Sequence, residues 1–152
     1  MEIKTKIFGD VNIDDDKIIL FPNGIIGFPD LQHFTLIHDE EKEGNNIHWL
    51  QSVEEPGFAM PVMDPLLVAK DYNPEVEDNH LIPLGEMTAE DTLVLVTVTV
   101  PKDLTQMSVN LQAPIIINAD SKKATQIIVN SEKYPIKFYI YDILQKMKKE
   151  GE

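Results

Sequence analysis

The stretch Leu93-Val94-Leu95-Val96-Thr97-Val98-Thr99-Val100 is the longest β-branched and aliphatic run in the chain, and its pattern decides the fold class. Because successive side chains of a strand point to opposite faces, the valines share one face, and the leucines and threonines share the other. We expect the valine face to be buried throughout and the other face to be exposed only towards its threonine end. Such a strand belongs at the centre of a sheet and ends at Pro101, which cannot donate to a ladder.

Shorter alternating runs, separated by turn signals, surround this strand. Many short strands of this kind are typical of an all-β barrel or sandwich. Asp39–Asn46 is expected to form an exposed hairpin loop between two of them. The predicted strands are Ile3–Phe8, Lys17–Phe21, Phe34–His38, His48–Val53, Phe58–Val62, Thr92–Val100, Met107–Leu111, Pro114–Asn118, Thr125–Val129 and Ile136–Ile140.

Two helices complete the prediction. Asn73 and Pro74 predict an N-cap and a first helical residue, followed by a short helix through Glu75–Leu81. Near the C-terminus, apolar residues recur at helical spacing from Ile140 to Met147. The sequence therefore predicts a mainly β protein. It is expected to be a single-domain antiparallel β-barrel-like fold over residues 1–152, with one short internal helix and an amphipathic helix or tail over residues 140–152.

Several residues are expected to shape the backbone or the core rather than to bind a ligand. In Phe21-Pro22-Asn23-Gly24, Pro22 presets φ at the second position of a turn, and Asn23 tolerates a left-handed φ at the third. Trp49 and Phe28 are expected to be core residues rather than interface anchors. Turn geometry and strand termination account for the other members of this set, which are Gly24, Gly27, Asp64, Pro65, Asn110 and Pro114.

The distribution of charged residues limits the classes of partner that the protein could bind. All 13 cations are lysines, and the formal net charge is −13. Residues 1–100 carry 20 acids and 5 lysines, whereas residues 101–152 carry 6 acids and 8 lysines. This balance argues against direct nucleic-acid binding, which depends on cations and on arginine forks. The acidic field would steer a basic partner, although the same charge also serves solubility.

The sequence shows no motif of a reactive site. The absence of cysteine fits the reducing cytosol, and no apolar run is long enough for a membrane span. Asn12-x-Asp14-x-Asp16 begins like a calcium loop but lacks the Gly and Glu that the loop requires. The four histidines lack metal-site spacing, and no nucleophile motif is present. We therefore predict a cytoplasmic protein that is not an enzyme, with no catalytic, metal-binding or cofactor-binding residues.

Several stretches, taken in order along the chain, share one resemblance. The two most specific are Phe21-Pro22-Asn23-Gly24-Ile25-Ile26-Gly27-Phe28 and Asn110-Leu111-Gln112-Ala113-Pro114-Ile115. Trp49-Leu50-Gln51-Ser52 and Asp64-Pro65 lie between them in the expected order. From about Ile3 to about Ile140 the chain resembles the flagellar assembly factor FliW family, although Lys137 stands where that family often carries Arg.

This resemblance implies a small β-barrel-like protein without catalytic activity. We expect it to be a monomer with no cofactor and no membrane contact. Its implied partners are flagellin, which it binds before export, and the translational repressor CsrA. When flagellin is scarce, the free protein captures CsrA, and translation of flagellin messenger RNA resumes. CsrA resembles a basic RNA-binding dimer, so an acidic surface would speed the encounter.

We hypothesise that the CsrA contact lies where the predicted short helix interrupts the β pattern. Acidic residues cluster there beside leucines, and a solvated helix face is the competing interpretation of the same cluster. The proposed contact residues are Leu66, Leu67, Asp71, Glu75, Glu77, Asp78 and Leu81.

Two other function classes remain open at this point. A small-ligand barrel would place polar residues such as Thr97, Thr99 and Asn110 around an internal cavity. A hydrolase could be assembled from His48, Ser52 and scattered acids, although no spacing supports it.

Overall fold

The structure, a computed structural model, describes residues 2–5, 9–38, 47–74, 76, 78–86, 88, 90–129 and 133–150. The predicted loop 39–46 lies outside these residues. Short 3-10 helices occupy Asp15–Lys17, Pro65–Leu67, Ile82–Leu84 and Leu104–Gln106. The α-helices are α1 (Asp78–Leu81) and α2 (Tyr141–Glu150). The strands are β1 (Glu2–Thr5), β2 (Gly9–Asn12), β3 (Ile19–Leu20), β4 (His33–His38), β5 (His48–Ser52), β6 (Ala59–Met63), β7 (Thr92–Thr99), β8 (Ser108–Val109), β9 (Ile115–Asn118), β10 (Lys123–Gln126) and β11 (Phe138–Tyr139).

Seven strands close into a barrel. The main sheet runs β11-β8-β7-β6-β5-β4-β3-β10-β9, and β7 also pairs with β9. This extra pairing joins β3, β4, β5, β6, β7, β9 and β10 into a ring, while β8 and β11 extend the sheet beyond it. The predicted mainly β, barrel-like fold is confirmed. One contact in the ring is parallel, however, because β10 meets β3 at the pair Lys123↔Leu20.

The long valine strand is β7, and its predicted central position is confirmed. It pairs with β6, β8 and β9. Leu95 faces the barrel interior, and Val96 and Val98 face outwards into a second core. The predicted exposure is wrong at both ends. Leu93 is 37% exposed because it lies at the barrel end, and Val100 is 50% exposed because the ladder stops at Thr99.

The apolar side chains form two main cores. The barrel core contains Phe21, Phe34 and Leu50, all fully buried, and the two phenylalanine rings meet edge to face at 5.1 Å. The second core lies on the outer face of β7 and packs against α2, whose Ile143 and Leu144 contact it. The predicted C-terminal amphipathic helix is therefore confirmed. In the described part of the chain, no helix combines the length and apolar character needed to cross a bilayer.

The Phe21–Gly24 turn forms as predicted, but its left-handed residue is different. The N–H of Gly24 donates to the carbonyl oxygen of Phe21 at 2.9 Å, and Gly24 has φ +67°. Asn23 does not adopt the left-handed φ that was predicted for it. Among the described residues, the non-glycine residue with a positive φ is Lys122. A Cβ on Gly24 would lie 2.5 Å from the carbonyl oxygen of Pro29, so the turn requires a glycine for space as well as for φ.

Several predicted strand limits shift for local reasons. The strand predicted from Lys17 begins at Ile19, because Asp15–Lys17 forms a 3-10 helix. The strand predicted at Thr125–Val129 lies at Lys123–Gln126, where it pairs with β9 in register from Lys123↔Asn118. The strands predicted at Met107–Leu111 and Ile136–Ile140 shorten to β8 and β11, which pair over two residues. The β2 strand, which pairs with β1, was not predicted.

Candidate partner-binding surface

Residues 64–91, which join β6 to β7 and are named the connection here, carry all seven proposed contact residues. The connection leaves the barrel at Asp64, whose carboxylate accepts the N–H of Leu66 at 2.9 Å. This bond and the fixed φ of Pro65 start the 3-10 helix Pro65–Leu67. The connection then passes through α1 and the 3-10 helix Ile82–Leu84 before it returns to β7.

Two tyrosines tie the first half of the connection to the second core. The hydroxyl of Tyr72 donates to the carbonyl oxygen of Leu111 at 2.6 Å, and the N–H of Asn73 donates to the hydroxyl oxygen of Tyr134 at 3.0 Å. The two rings meet edge to face at 4.7 Å. Burial, with a smaller contribution from Tyr134, raises the pKa of Tyr72 well above its usual value. The hydroxyl of Tyr72 is therefore a neutral, structural donor at physiological pH.

One asparagine fixes the second half of the connection. Asn118, at the end of β9, is fully buried. Its Nδ2 donates to the carbonyl oxygens of Leu84 and Glu86 at 2.8 and 3.1 Å. Its Oδ1 accepts the N–H groups of Asp120 and Ser121 at 2.9 and 3.2 Å. The Asn118 side chain therefore joins the connection to the turn between β9 and β10, and the hydroxyl of Ser121 adds a hydrogen bond to the carbonyl oxygen of Leu84 at 2.7 Å.

A groove of about 460 Å³, the connection groove, lies between the connection and the outer face of the barrel. Val94 and Ile116 belong to its barrel side. Leu66 and Leu81 line it from the connection, together with Asp64 and Asn73. The groove is thus mainly apolar with a few polar groups at its edge, a composition suited to holding an apolar segment of a partner.

The structure brings only part of the predicted contact set together. Leu66, 51% exposed, and the half-buried Leu81 line the connection groove. Leu67 lines an adjoining groove of about 380 Å³ at the barrel end, the mouth groove. Asp71 is exposed beside them. Glu75, Glu77 and the side chain of Asp78 lie outside the described residues.

The predicted start of the internal helix is wrong. Pro74 and Val76 are not helical, and α1 begins at Asp78. The reason lies upstream, because the N–H of Asn73 is held by Tyr134 and the segment follows the wall of the connection groove instead of coiling. A tertiary contact therefore overrides the local N-cap signal.

The sequence did not indicate the residues that line the barrel side of the connection groove. Leu93 and Val94, at the start of β7, line it together with Ile116. The alternating pattern of this strand predicts that Leu93 and Val94 are buried. Their position at the first two apolar residues of the strand, directly after the connection, is the signal that could have indicated partial exposure.

The two aromatic residues predicted for the core occupy different positions. Phe28 is 48% exposed, so the prediction is wrong for this residue. It ends a tight turn in which Gly27 has φ +89°, and its ring lies 4.9 Å from that of Phe58. Trp49 is half-buried on β5. Leu50, next to Trp49, and Ile25, which pairs with Phe28, belong to the barrel core instead.

The residues of the two alternative function classes do not converge on a cavity. Thr99 is exposed and pairs with Ser108 beyond the ring, and the side-chain oxygen of Asn110 accepts the N–H of Gln112 at 3.0 Å. Ser52 is fully buried, and its hydroxyl accepts the N–H of Glu55 at 3.0 Å. Across the described ranges, no three His, Asp or Glu side chains are grouped to hold a metal ion.

One histidine has a structural partner that the sequence did not indicate. His33 Nδ1 lies 3.0 Å from Oε2 of Glu54, and Oε1 of Glu54 accepts the N–H of His33 at 2.8 Å. Partial burial opposes ionisation of Glu54, but the hydrogen bonds from His33 and from the N–H of Gln32 outweigh it and hold the pKa of Glu54 below its usual value. This carboxylate fastens the turn after β5 to the start of β4.

Fold and surface together define a class: a small barrel protein with an apolar groove beside an irregular connection. The sequence matches the family described as FliW protein over residues 2–140. A protein from Lachnospira eligens named flagellar assembly factor FliW is 46% identical over 148 residues, covering 96% of this chain and 98% of its own. Another of that name from Lachnoclostridium phytofermentans is 41% identical over 155 residues, with coverage of 100% and 99%.

Comparison with solved structures leads to the same family as the sequence comparison. A crystal structure described as the flagellar assembly factor FliW matches with a TM-score of 0.84 and 29% sequence identity. The match covers 92% of this chain and 96% of that chain. The chain therefore belongs to the FliW family.

Proposed function

We propose that this protein is a flagellar assembly factor that works in the cytoplasm by binding other proteins and not by catalysis. The observation that carries the proposal is the similarity to proteins named flagellar assembly factor FliW along 96% or more of the chain. The partners are flagellin, held in a chaperone-like manner before export, and the translational regulator CsrA. Capture of CsrA relieves repression of flagellin translation.

The connection supports the proposal for CsrA. Leu66 and Leu81 offer apolar area in the connection groove, and Asp71, which precedes the lining residue Tyr72 in the sequence, is exposed. Glu75, Glu77 and Asp78 add three further acids to this segment of the sequence. Protein interfaces usually have an apolar centre and a charged rim. The charges mainly set the association rate, and the buried apolar anchors mainly set the dissociation rate.

The flagellin contact rests on the apolar character of the grooves. Unassembled flagellin exposes apolar helical ends, which need an apolar groove on the binder. The connection groove and the mouth groove together provide one, since both are lined by Leu93 and Asp64 and so adjoin each other. In this proposal both partners bind close to the connection, at the wall that the two grooves share.

The first test measures association with purified CsrA. Replacing Glu75, Glu77 and Asp78 together by Lys should slow association at least about tenfold at low salt, because the partner is basic. A control with Asp14, Asp30 and Asp142 replaced by Lys changes the net charge equally at exposed positions away from the connection. An unchanged rate in the triple variant, or an equal loss in the control, would contradict the proposed contact.

The second test separates the apolar anchor from the charge. Leu66→Asp should raise the dissociation rate of the CsrA complex about tenfold or more, since a buried apolar anchor is lost. Leu104→Asp is the matched control, because Leu104 is 52% exposed in another 3-10 helix and lines none of the grooves described here. If the wild-type protein retains neither CsrA nor flagellin, the proposed function itself is wrong.

A further inference from the structure

The turn Phe21–Gly24 contains the single Asn-Gly sequence of the chain, Asn23-Gly24. In a flexible chain this sequence is chemically unstable, because glycine has no side chain to keep its backbone nitrogen away from the asparagine side chain. The Gly24 nitrogen loses its proton to a solvent base and attacks Cγ of Asn23, and a five-membered succinimide forms as ammonia leaves. Water then opens the ring at either carbonyl, which leaves aspartate or isoaspartate. Asn23 is exposed, so water reaches this position in the folded protein.

The folded turn holds the reacting atoms apart. The N–H of Gly24 donates to the carbonyl oxygen of Phe21 at 2.9 Å. Pro22 has its fixed negative φ, and Asn23 does not have a positive φ, so the turn is of type I. In such a turn ψ of the third residue is about 0°, and the Gly24 nitrogen eclipses the backbone nitrogen of Asn23 and not its Cβ. Closing the succinimide ring requires a rotation of about a third of a turn around ψ, which would break the hydrogen bond to Phe21.

The surroundings of the turn oppose this rotation. A Cβ built on Gly24 would lie 2.5 and 2.6 Å from the carbonyl oxygens of Pro29 and Phe28, so the backbone has no free space on that side. Nε2 of Gln32 donates to the carbonyl oxygen of Pro22 at 3.2 Å and holds the start of the turn. Ring closure therefore requires the turn to open first.

The turn can open locally because it follows a weakly paired strand. β3 pairs with β4 over two residues and with β10 at one residue. Segments that have so few backbone hydrogen bonds open without unfolding of the whole protein. Opening of β3 releases the turn and frees the rotation around ψ of Asn23.

We propose that Asn23 is a deamidation site that the closed turn keeps unreacted and that reacts when β3 and the turn leave the barrel. Conversion to aspartate adds one negative charge at an exposed position, which the fold accommodates. Isoaspartate instead adds a methylene group to the main chain, and the turn has no space for it beside Gly24. Chains that remain open therefore lose the ability to close the turn.

The first experiment compares deamidation in the folded and the unfolded full chain. The protein is incubated in mildly alkaline buffer with and without guanidinium chloride, and peptide mass spectrometry follows the conversion of Asn23. The reaction should be at least about tenfold slower in the folded protein, because only the open fraction reacts. Equal rates, or no reaction at Asn23 in guanidinium chloride, would overturn the proposal.

A pair of glutamine variants tests whether the turn itself gives the protection. Gln32→Ala removes the bond to Pro22 and should speed deamidation of the folded protein about threefold or more, with an unchanged rate in guanidinium chloride. Gln106→Ala is the matched control, because Gln106 is exposed in the 3-10 helix Leu104–Gln106, and it should leave the rate unchanged. Equal rates in the two folded variants would show that the turn is not the protecting element.

The two products of ring opening should differ in stability. Asn23→Asp reproduces the aspartate product and should melt at the wild-type temperature, because the position is exposed. The isoaspartate form, separated by chromatography from aged unfolded protein and refolded, should melt at a lower temperature. Identical melting of the two species would contradict the loss of turn closure. The binding of CsrA and flagellin enters none of these experiments, so their outcome is independent of the proposed function.

Discussion

The barrel ring and the connection are held in place by different kinds of contact. The ring combines backbone ladders with a core in which Phe21, Phe34 and Leu50 are fully buried. The connection has four helical residues in α1 and depends on side chains that reach it from elsewhere, chiefly Asn118 and Tyr134. The surface proposed to bind partners is therefore positioned by a few specific hydrogen bonds, and its order can be weakened separately from that of the barrel.

A matched pair of leucine variants should give the largest change in the free energy of unfolding. It also tests whether the connection loses order separately from the barrel. Leu50 in the barrel core and Leu84 in the connection are both fully buried. Leu50→Ala should lower the free energy of unfolding by about 4 kcal/mol, whereas Leu84→Ala should lower it by about 2 kcal/mol, because Leu84 belongs to a small cluster that can open locally. Chemical denaturation measures the first effect, and hydrogen exchange should place the second in residues 78–86. Equal global destabilisation by both variants would contradict the separation.

An asparagine pair should give an intermediate effect. Asn118→Ala removes four hydrogen bonds and should cost about 2–3 kcal/mol, while Asn110→Ala removes the bond to Gln112 and should cost about 0.5–1 kcal/mol. Asn118→Ala should also speed exchange of the amides in the connection more than those of β4 and β5. If exchange rises equally in β4 and β5, Asn118 supports the whole fold instead of the connection.

Tyr72 should give the smallest effect at neutral pH and a distinct one at alkaline pH. Tyr72→Phe loses the bond to Leu111 and should cost about 1 kcal/mol at pH 7. Because the folded pKa of Tyr72 is raised, its contribution to stability is complete below the unfolded pKa of about 10 and is lost as the pH rises towards the folded pKa. The fall in stability between pH 9 and about 11 should therefore be shallower in Tyr72→Phe than in the wild type. The exposed Tyr139→Phe is the control, and an identical slope in Tyr72→Phe and wild type would refute the assignment.

Periodicity predicted the parts of the fold that depend on local pattern. The central position of β7 and the C-terminal helix both followed from apolar spacing over eight or more residues. Periodicity could not place Leu93, because its exposure depends on the barrel end at which β7 begins. The parallel contact between β10 and β3 also has no local signature, since it joins residues about a hundred positions apart.

The candidate surface was predicted less completely than the fold. Leu66 and Leu81 were found because leucines beside acids stand out in the sequence. The groove they line is completed by Val94 and Ile116, which a linear sequence assigns to buried strands. The anchors Tyr72 and Asn118 could not be identified either, because Tyr72 and its partner Leu111, and Asn118 and its partner Leu84, lie more than 30 residues apart.

The narrow parallel contact between β3 and β10 has a consequence for how the protein emerges from the ribosome. The ring cannot close until residues 123–126 have left the exit tunnel, so β3 keeps an unpaired edge while the intervening residues are made. A nascent chain of this kind presents an incomplete barrel to its surroundings until β10 has emerged. Truncation before β10 should accordingly yield an aggregation-prone chain, even though most of the barrel strands have already been made.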